Sequence, residues 1–340
     1  MLIFMPLDAP RNDIEIVKNK LLANYCTPHE IPGERKLAIG ITGPTDKLKE
    51  EDFYFLPSVL EVVRVTQKYK LVSKAMKDQN TIIDFGNAQI GNNELGIIAG
   101  PCAVESRQQM FDIAGELVEM GVKFIRGGAF KPRSSPYSFQ GLKEKGLEIL
   151  SDVKKEFGVN IVTELLNQNT VEAVAETADI IQIGARNMQN FTLLEDVGKT
   201  GKPILLKRGM SATVEDWLLS AEYIVSQNNY NIILCERGIR TFENATRNTL
   251  DLNAVPVLKS ETHLPVIVDP SHGIGIRDKV SAMALASIAC GADGIMVEVH
   301  TDPDKALSDG HQTLSISMFR EMMEKIKTLA PIVNRKTEFI

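Results

Sequence analysis

Eight short apolar runs, LGIIAG, VKFIRG, VNIVTE, ADIIQIG, KPILLKRG, NIILCERG, LPVIVDPSHG and DGIMVEVH, punctuate the stretch from residue 95 to residue 340. Glycine or proline bounds most of them, and amphipathic segments such as QQMFDIAGELVEM and VEDWLLSAEYIVSQ, or turn-rich connections, lie between. Runs of this kind alternating with helices indicate parallel strands with helical crossovers, and eight of them match a (β/α)8 TIM barrel. A doubly wound sheet is the runner-up architecture. The barrel is favoured because polar and charged residues gather directly after the runs: Cys102, Arg126, Lys131, Glu164, Arg186, Lys207, Arg237, Asp269, His272 and Glu298. Barrel active sites sit at that end of the strands.

Residues 1–72 follow another rhythm. LIFMPL and KLAIGIT read as strands, IEIVKNKLLANYC as a helix, TDKLKEEDFYFLPSV as a second helix capped by Thr45 or Asp46, and VLEVVRVT as a closing strand. The order β-α-β-β-α-β predicts a small ferredoxin-like α+β domain, typical of small-molecule sensing, with a purely structural or oligomerising role as the alternative. Residues 73–94 read as a polar linker that carries a short hairpin, TIIDFGNAQIG, turning at Gly86-Asn87. The barrel is assigned to residues 95–340.

Charge narrows the partners. With 38 Lys plus Arg against 44 Asp plus Glu the formal net charge is −6, so no global basic field exists for nucleic acid or an anionic membrane. An anionic substrate must be met by local cations. No apolar stretch approaches the roughly 18 to 20 residues that span a bilayer, and the N-terminus lacks the basic start of a secretory signal, so a cytoplasmic location is expected. Cys26, Cys102, Cys235 and Cys290 are far apart and form no C-x-x-C pair, which suggests free thiols. Phosphate-loop, dinucleotide, G-x-S-x-G and H-E-x-x-H signatures are all missing from the sequence.

Two constellations carry chemistry. Arg126, Lys131, Arg133, Arg186, Lys207 and Arg237 all follow strands, and six cations around one mouth suit a ligand with several negative charges. In KPRSSP, Pro132 stiffens the chain between two cations while Ser134 and Ser135 add hydroxyls. The second set is Cys102, His272, Glu298 and Asp309, a thiolate, an imidazole and two carboxylates suited to borderline divalent ions such as Mn, Fe, Co or Zn. Strands 1, 7 and 8 become neighbours when a barrel closes, which lets these distant residues converge. A buried structural cysteine and an ordinary Asp309-Gly310 turn remain open as readings, and His300 and His311 compete as ligands. His29 and His263 lie in the appended domain and in a loop before a strand.

The phrases AGPCAVES, RGGAFKPRSSPYSFQGL, QIGARNMQNF, LLKRGM, ILCERGIRTFE, VDPSHGIG and VEVHTDPDKALSDGHQTL resemble those of 3-deoxy-D-arabino-heptulosonate 7-phosphate (DAHP) synthases of the type I beta subclass, over the whole barrel and in order. The resemblance implies condensation of phosphoenolpyruvate with erythrose 4-phosphate, the first step toward aromatic amino acids. It implies Cys102, His272, Glu298 and Asp309 as ligands of one divalent metal. It also implies that Arg126, Lys131, Arg186, Lys207 and Arg237 hold phosphoenolpyruvate and that Lys131, Pro132, Arg133 and Ser134 meet the aldose phosphate, Ser134 standing where many relatives carry Thr. Lys131 is the candidate proton donor; Cys102 and His272 are placed with it at the catalytic centre. Glu164 and Asp269 are candidates for positioning water or the metal shell, or structural partners of the cations.

The same resemblance implies a homotetramer and feedback by tyrosine or phenylalanine through the N-terminal domain. The nearest rival is 3-deoxy-D-manno-octulosonate 8-phosphate synthase, whose acceptor is arabinose 5-phosphate and whose loop reads Lys-Ala-Asn-Arg-Ser. A non-catalytic, metabolite-sensing barrel is the rival from another class.

Overall fold

The computed structural model describes residues 1–33, 36–64, 68–132, 135 and 137–337. The chain divides into two compact units, residues 1–80 with 260–263, and residues 81–259 with 264–340.

In the first unit β1 (Leu2–Pro6), α1 (Arg11–Ala23), β2 (Thr27–Pro32), β3 (Lys36–Thr42), α2 (Glu51–Tyr54) and β4 (Glu61–Val63) follow in that order. The sheet runs β2-β3-β1-β4 with every pair antiparallel, the split arrangement of the ferredoxin-like fold. Pro28 and Pro32 are tolerated in β2 because it is an edge strand, where a missing N–H need not break a ladder. Ile3, Met5, Val17, Leu21, Ile39, Ile41 and Phe53 form its core.

The second helix differs from expectation. Thr45–Lys47 is a single 3-10 turn, Leu48 is extended at ψ 135°, and only Glu51–Tyr54 is α-helical. Leu48 and Phe53 are both buried, so the chain breaks between them to bring both side chains into the core, and neither Thr45 nor Asp46 caps an α-helix. Of the closing run VLEVVRVT, β4 takes three residues; Val65 and Thr66 lie outside the described residues.

The second unit opens on a hairpin, β5 (Ile83–Asp84) and β6 (Gln89–Ile90), closed by the Phe85 N–H donating to the Ala88 carbonyl at 2.9 Å. Then come β7 (Gly96–Gly100), α3 (Arg107–Glu119), β8 (Phe124–Arg126), α4 (Glu144–Phe157), β9 (Asn160–Leu165), α5 (Val171–Thr177), β10 (Ile180–Ile183), α6 (Phe191–Lys199), β11 (Ile204–Lys207), α7 (Val214–Val225), β12 (Ile232–Glu236), α8 (Ala254–Glu261), β13 (Val266–Val268), α9 (Pro270–Ile274), α10 (Arg277–Ala289), β14 (Gly294–His300), β15 (Leu314–Ser315) and α11 (Ile316–Ile332). Strands β7 to β14 pair in parallel in sequence order, and β14 pairs back onto β7, closing an eight-stranded barrel.

Every barrel strand sends at least one side chain into a shared interior cluster: Ile98, Phe124, Val162, Ile180, Leu205, Ile233 with Cys235, Ile267 and Met296. Ile83 and Ile90 of the hairpin join them, so the segment read from sequence as linker packs into the barrel core. Local sequence punctuates the helices: Ser106 caps α3 by accepting from Gln109 N–H, and Thr213 with Asp216 forms a capping box at α7. The only tryptophan, Trp217, is fully buried on α7 and donates to the Leu206 carbonyl of β11 at 3.1 Å. Among the described residues no helix is long and apolar enough to cross a membrane.

Candidate active site

The strands deliver their terminal residues into one cleft lined by Arg126, Lys131, Pro132, Glu164, Arg186, Lys207, Arg237, His272 and Asp309. Arg126 and Lys207 are the last residues of β8 and β11, Glu164 is the penultimate residue of β9, and Arg237 follows β12 directly. Arg186 sits in a 3-10 turn after β10 and donates to the Pro132 carbonyl at 3.2 Å. Arg133 and Ser134 lie outside the described residues.

Cys102 follows β7 through Gly100 and Pro101. Gly100 has φ +148°, and a Cβ there would stand 2.2 Å from the Arg126 carbonyl oxygen, so the turn that presents the thiol requires glycine. Cys102 Sγ is 3.2 Å from Asp309 Oδ2, 3.1 Å from Ser308 Oγ and 3.0 Å from Lys131 Nζ. Ligand atoms of Cys102, Glu298 and Asp309 all lie within 4.8 Å of one another. Asp309 adopts a left-handed backbone, φ +52°, to turn its carboxylate inward.

His272 stands beside this triangle. Its Nε2 is 3.5 Å from Glu298 Oε1 and its Nδ1 is 2.8 Å from Asp269 Oδ2, while Asp269 Oδ1 accepts the His272 backbone N–H at 3.0 Å. Asp269 also receives Lys207 Nζ at 2.5 Å. Thus Asp269, fully buried, holds the His272 backbone and one cation at once, while the ring Nδ1 lies against it without a hydrogen bond. The two competing histidines are placed elsewhere: His300 Nδ1 accepts the Asp302 N–H at 2.9 Å, and His311 is exposed.

Electrostatics separate the donors. Burial, reinforced by the Glu298 charge and opposed by Lys131, pushes the Cys102 thiol up to about 12. Burial also works against the Asp309 charge, but His272, Arg247 and Lys131 outweigh it and hold that carboxyl at about 2. Burial lowers the His272 imidazole despite the neighbouring Asp269, which keeps a lone pair on the ring. For Lys131 and Arg126 the penalty of burial is overcome by Cys102, Glu164 and Glu298, so both cations are held charged.

The donor set fits a borderline divalent metal. Glu298 Oε1 is fully buried with no hydrogen-bond partner, and the Glu298 carboxylate forms the triangle with the Cys102 thiol and the Asp309 carboxylate. A buried carboxylate oxygen left this way is costly unless a cation satisfies it. Arg126 NH1, 3.3 Å away, supplies part of that charge without a hydrogen bond.

Several cleft residues escape a reading of the sequence. Arg240, Arg247, Asn248, Gln182 and Met210 line the same space. Arg240 and Arg247 stand in GIRTFENATRN, the loop that also follows Arg237, and that continuation of a cation-bearing loop is the signal available for them.

A model of the DAHP synthetase I family matches residues 71–335, and a model of the DAHP synthase ferredoxin-like domain matches residues 1–67. The chain belongs to the DAHP synthetase I family. The phospho-2-dehydro-3-deoxyheptonate aldolase of Thermotoga maritima is 53% identical over 308 residues, covering 91% of each chain. The crystal structure of the Thermotoga maritima DAHP synthase superposes with a TM-score of 0.80 at 49% identity and 99% coverage of both chains. A truncated form of that enzyme superposes with a TM-score of 0.75, covering 79% of this chain and 99% of its own. The 2-dehydro-3-deoxyphosphooctonate aldolase of Methylococcus capsulatus is more distant, 33% identical over 69% of this chain and 88% of its own. The two models together cover both the barrel and the N-terminal ferredoxin-like domain.

Proposed function

We propose that this family member condenses phosphoenolpyruvate with erythrose 4-phosphate and water to give DAHP and phosphate. The observation that carries the reading is the meeting, in one cleft, of a strand-end cation array with a thiol, an imidazole and two carboxylates. Arg126, Lys131, Arg186, Lys207 and Arg237 bind the phosphate and carboxylate of phosphoenolpyruvate through charge-assisted hydrogen bonds. Pro132, Arg133 and Ser134 meet the phosphate of the aldose.

Cys102, His272, Glu298 and Asp309 hold one divalent ion, Mn, Fe, Co or Zn, which when bound supplies Lewis-acid polarisation of the aldehyde oxygen. Lys131, held protonated beside Cys102, donates a proton to the oxygen that becomes the new hydroxyl as the methylene carbon of phosphoenolpyruvate forms the C–C bond. Glu164, close against Gly184, orients the water that adds at the enol carbon before phosphate departs with C–O cleavage. Asp269 acts through Lys207 and His272, fixing the position of the one and the ring orientation of the other.

The ferredoxin-like domain is read as the seat of feedback by tyrosine or phenylalanine, the assembly as a homotetramer, and the location as cytoplasmic. The decisive assay mixes purified protein, Mn and phosphoenolpyruvate with either erythrose 4-phosphate or arabinose 5-phosphate and follows the loss of enol absorbance. Consumption with erythrose 4-phosphate alone supports the reading; consumption with arabinose 5-phosphate alone replaces it with the octulosonate reaction, and consumption with neither leaves a sensing barrel.

A further inference from the structure

Gln312 is fully buried, lies in the connection between β14 and β15, and takes no part in the chemistry assigned above. Its amide Nε2 donates to Glu298 Oε2 at 2.6 Å. Its amide Oε1 accepts from Arg247 NH1, also at 2.6 Å. A guanidinium can only donate and a carboxylate can only accept, so the two ends of the amide are assigned by their partners and a flip would break both bonds. The backbone N–H of the same residue donates to the Asp309 carbonyl at 3.2 Å. Arg247 closes the figure by approaching Asp309 Oδ1 at 3.4 Å.

We infer that Gln312, clamped by Arg247, is a positioning residue that presents Glu298 and Asp309 to the divalent ion; the inference rests on the metal-dependent reading proposed above. Glu298 has two oxygens, and they are differently engaged: Oε1 lies 3.5 Å from His272 Nε2 and 3.3 Å from Arg126 NH1. Gln312 occupies Oε2, which leaves Oε1, the buried oxygen without a hydrogen bond, as the free donor. Without that bond the carboxylate can rotate about its terminal torsion, which has broad, shallow minima, and the side chain loses its single orientation. The backbone contact ties the turn that carries Asp309 to the same residue. One residue, by its side chain and its backbone, therefore links two carboxylates from separate segments of the chain.

The test uses Co2+ titrated into full-length, metal-free protein, read by the thiolate-to-cobalt absorption band of Cys102 and by the weaker d–d bands that report coordination geometry. Gln312→Glu sets a carboxylate against Glu298; Gln312→Met keeps the length and removes both hydrogen bonds. Either should weaken Co2+ binding by about 10- to 100-fold, the range for loss of a partner behind a metal ligand, and change the d–d bands while the thiolate band persists. Arg247→Met, at a partly exposed position, removes the clamp on the amide together with the cation beside Asp309, and should change the d–d bands in the same way. Wild-type affinity and d–d bands in whichever of the three variants fold would overturn the inference while leaving the metal reading intact. Wild-type protein that shows no thiolate band at all would overturn the metal reading, and the role of Gln312 with it.

Discussion

The ammonium of Lys131 rests 3.0 Å from the sulfur of Cys102 and 2.8 Å from the carbonyl oxygen of the same residue. One cation that lines the cleft is thereby fixed against the thiol, the position that the proposed proton transfer requires. Lys131→Met should lower kcat by about 10²- to 10⁴-fold, the usual worth of a positioned general acid, with the fold retained. Steady-state kinetics with circular dichroism checks this, and a turnover number within about threefold of wild type would remove Lys131 from the proton-transfer role.

Metal affinity should depend on pH through a single proton. The Cys102 thiol is held at about 12 and so enters neutral solution protonated, whereas Asp309, held at about 2, is already ionised and burial keeps His272 neutral. Binding must expel the thiol proton, so affinity should rise by about tenfold per pH unit between about pH 6.5 and 8.5. Calorimetry in buffers of different ionisation enthalpy measures the proton count directly. A flat affinity profile with no proton release would show that the thiol is not a ligand.

Substrate recognition should split between two arginines. Arg133→Ala should raise KM for the aldose phosphate by about 10- to 150-fold, and Arg186→Ala should do so for phosphoenolpyruvate, since a charge-assisted contact contributes about 1.5 to 3 kcal/mol. Initial rates with each substrate varied in turn make the comparison; equal effects of both variants on both constants would undo the assignment.

The hairpin under the barrel should matter for stability and not for chemistry. Ile90 is fully buried in the cluster that includes Ile98 and Met296, so Ile90→Ala should cost about 2 to 5 kcal/mol of unfolding free energy. Denaturant unfolding followed by fluorescence reports it, with KM values unchanged at temperatures where the variant is folded. A loss below about 0.5 kcal/mol would mean that the hairpin is dispensable to the core.

A chain shortened to begin at Thr81 should keep its turnover and lose any response to tyrosine or phenylalanine, because every proposed metal and substrate residue lies between Cys102 and Asp309. Inhibition assays on both chains decide the point. Full-length enzyme indifferent to aromatic amino acids, or equal inhibition of the shortened chain, would make the N-terminal domain structural.

What is legible in the sequence follows from short-range physics. Runs such as IIAG and ILLK are apolar on both faces and bounded by Gly or Pro, which leaves few alternatives to buried parallel strands, and all eight are present. The residues after them are legible for the same reason, since a charge at the end of a buried strand must face the mouth. The break at Leu48 is not: a helical spacing of apolar residues matches the segment, and only the packing of Leu48 and Phe53 into one core decides otherwise. The Gly86-Asn87 turn marks the hairpin but not its partner, because Ile83 and Ile90 carry no local sign of the barrel they enter. Gln312 and Arg247 stay hidden because a glutamine in a turn-rich loop reads as solvent-exposed, and its burial is created by contacts with residues 14 and 65 positions away.

The pairing of β14 with β7 joins the two ends of the barrel, placing Glu298 opposite Gly100, two residues before Cys102. Because Cys102 stands on one side of this seam and the other three proposed ligands, His272, Glu298 and Asp309, on the other, the four-donor set cannot exist on an emerging chain: the thiol is synthesised nearly two hundred residues before the first of its carboxylate neighbours. A complete donor set is thereby deferred until the ring closes, when the last barrel strand has been made and paired with the first.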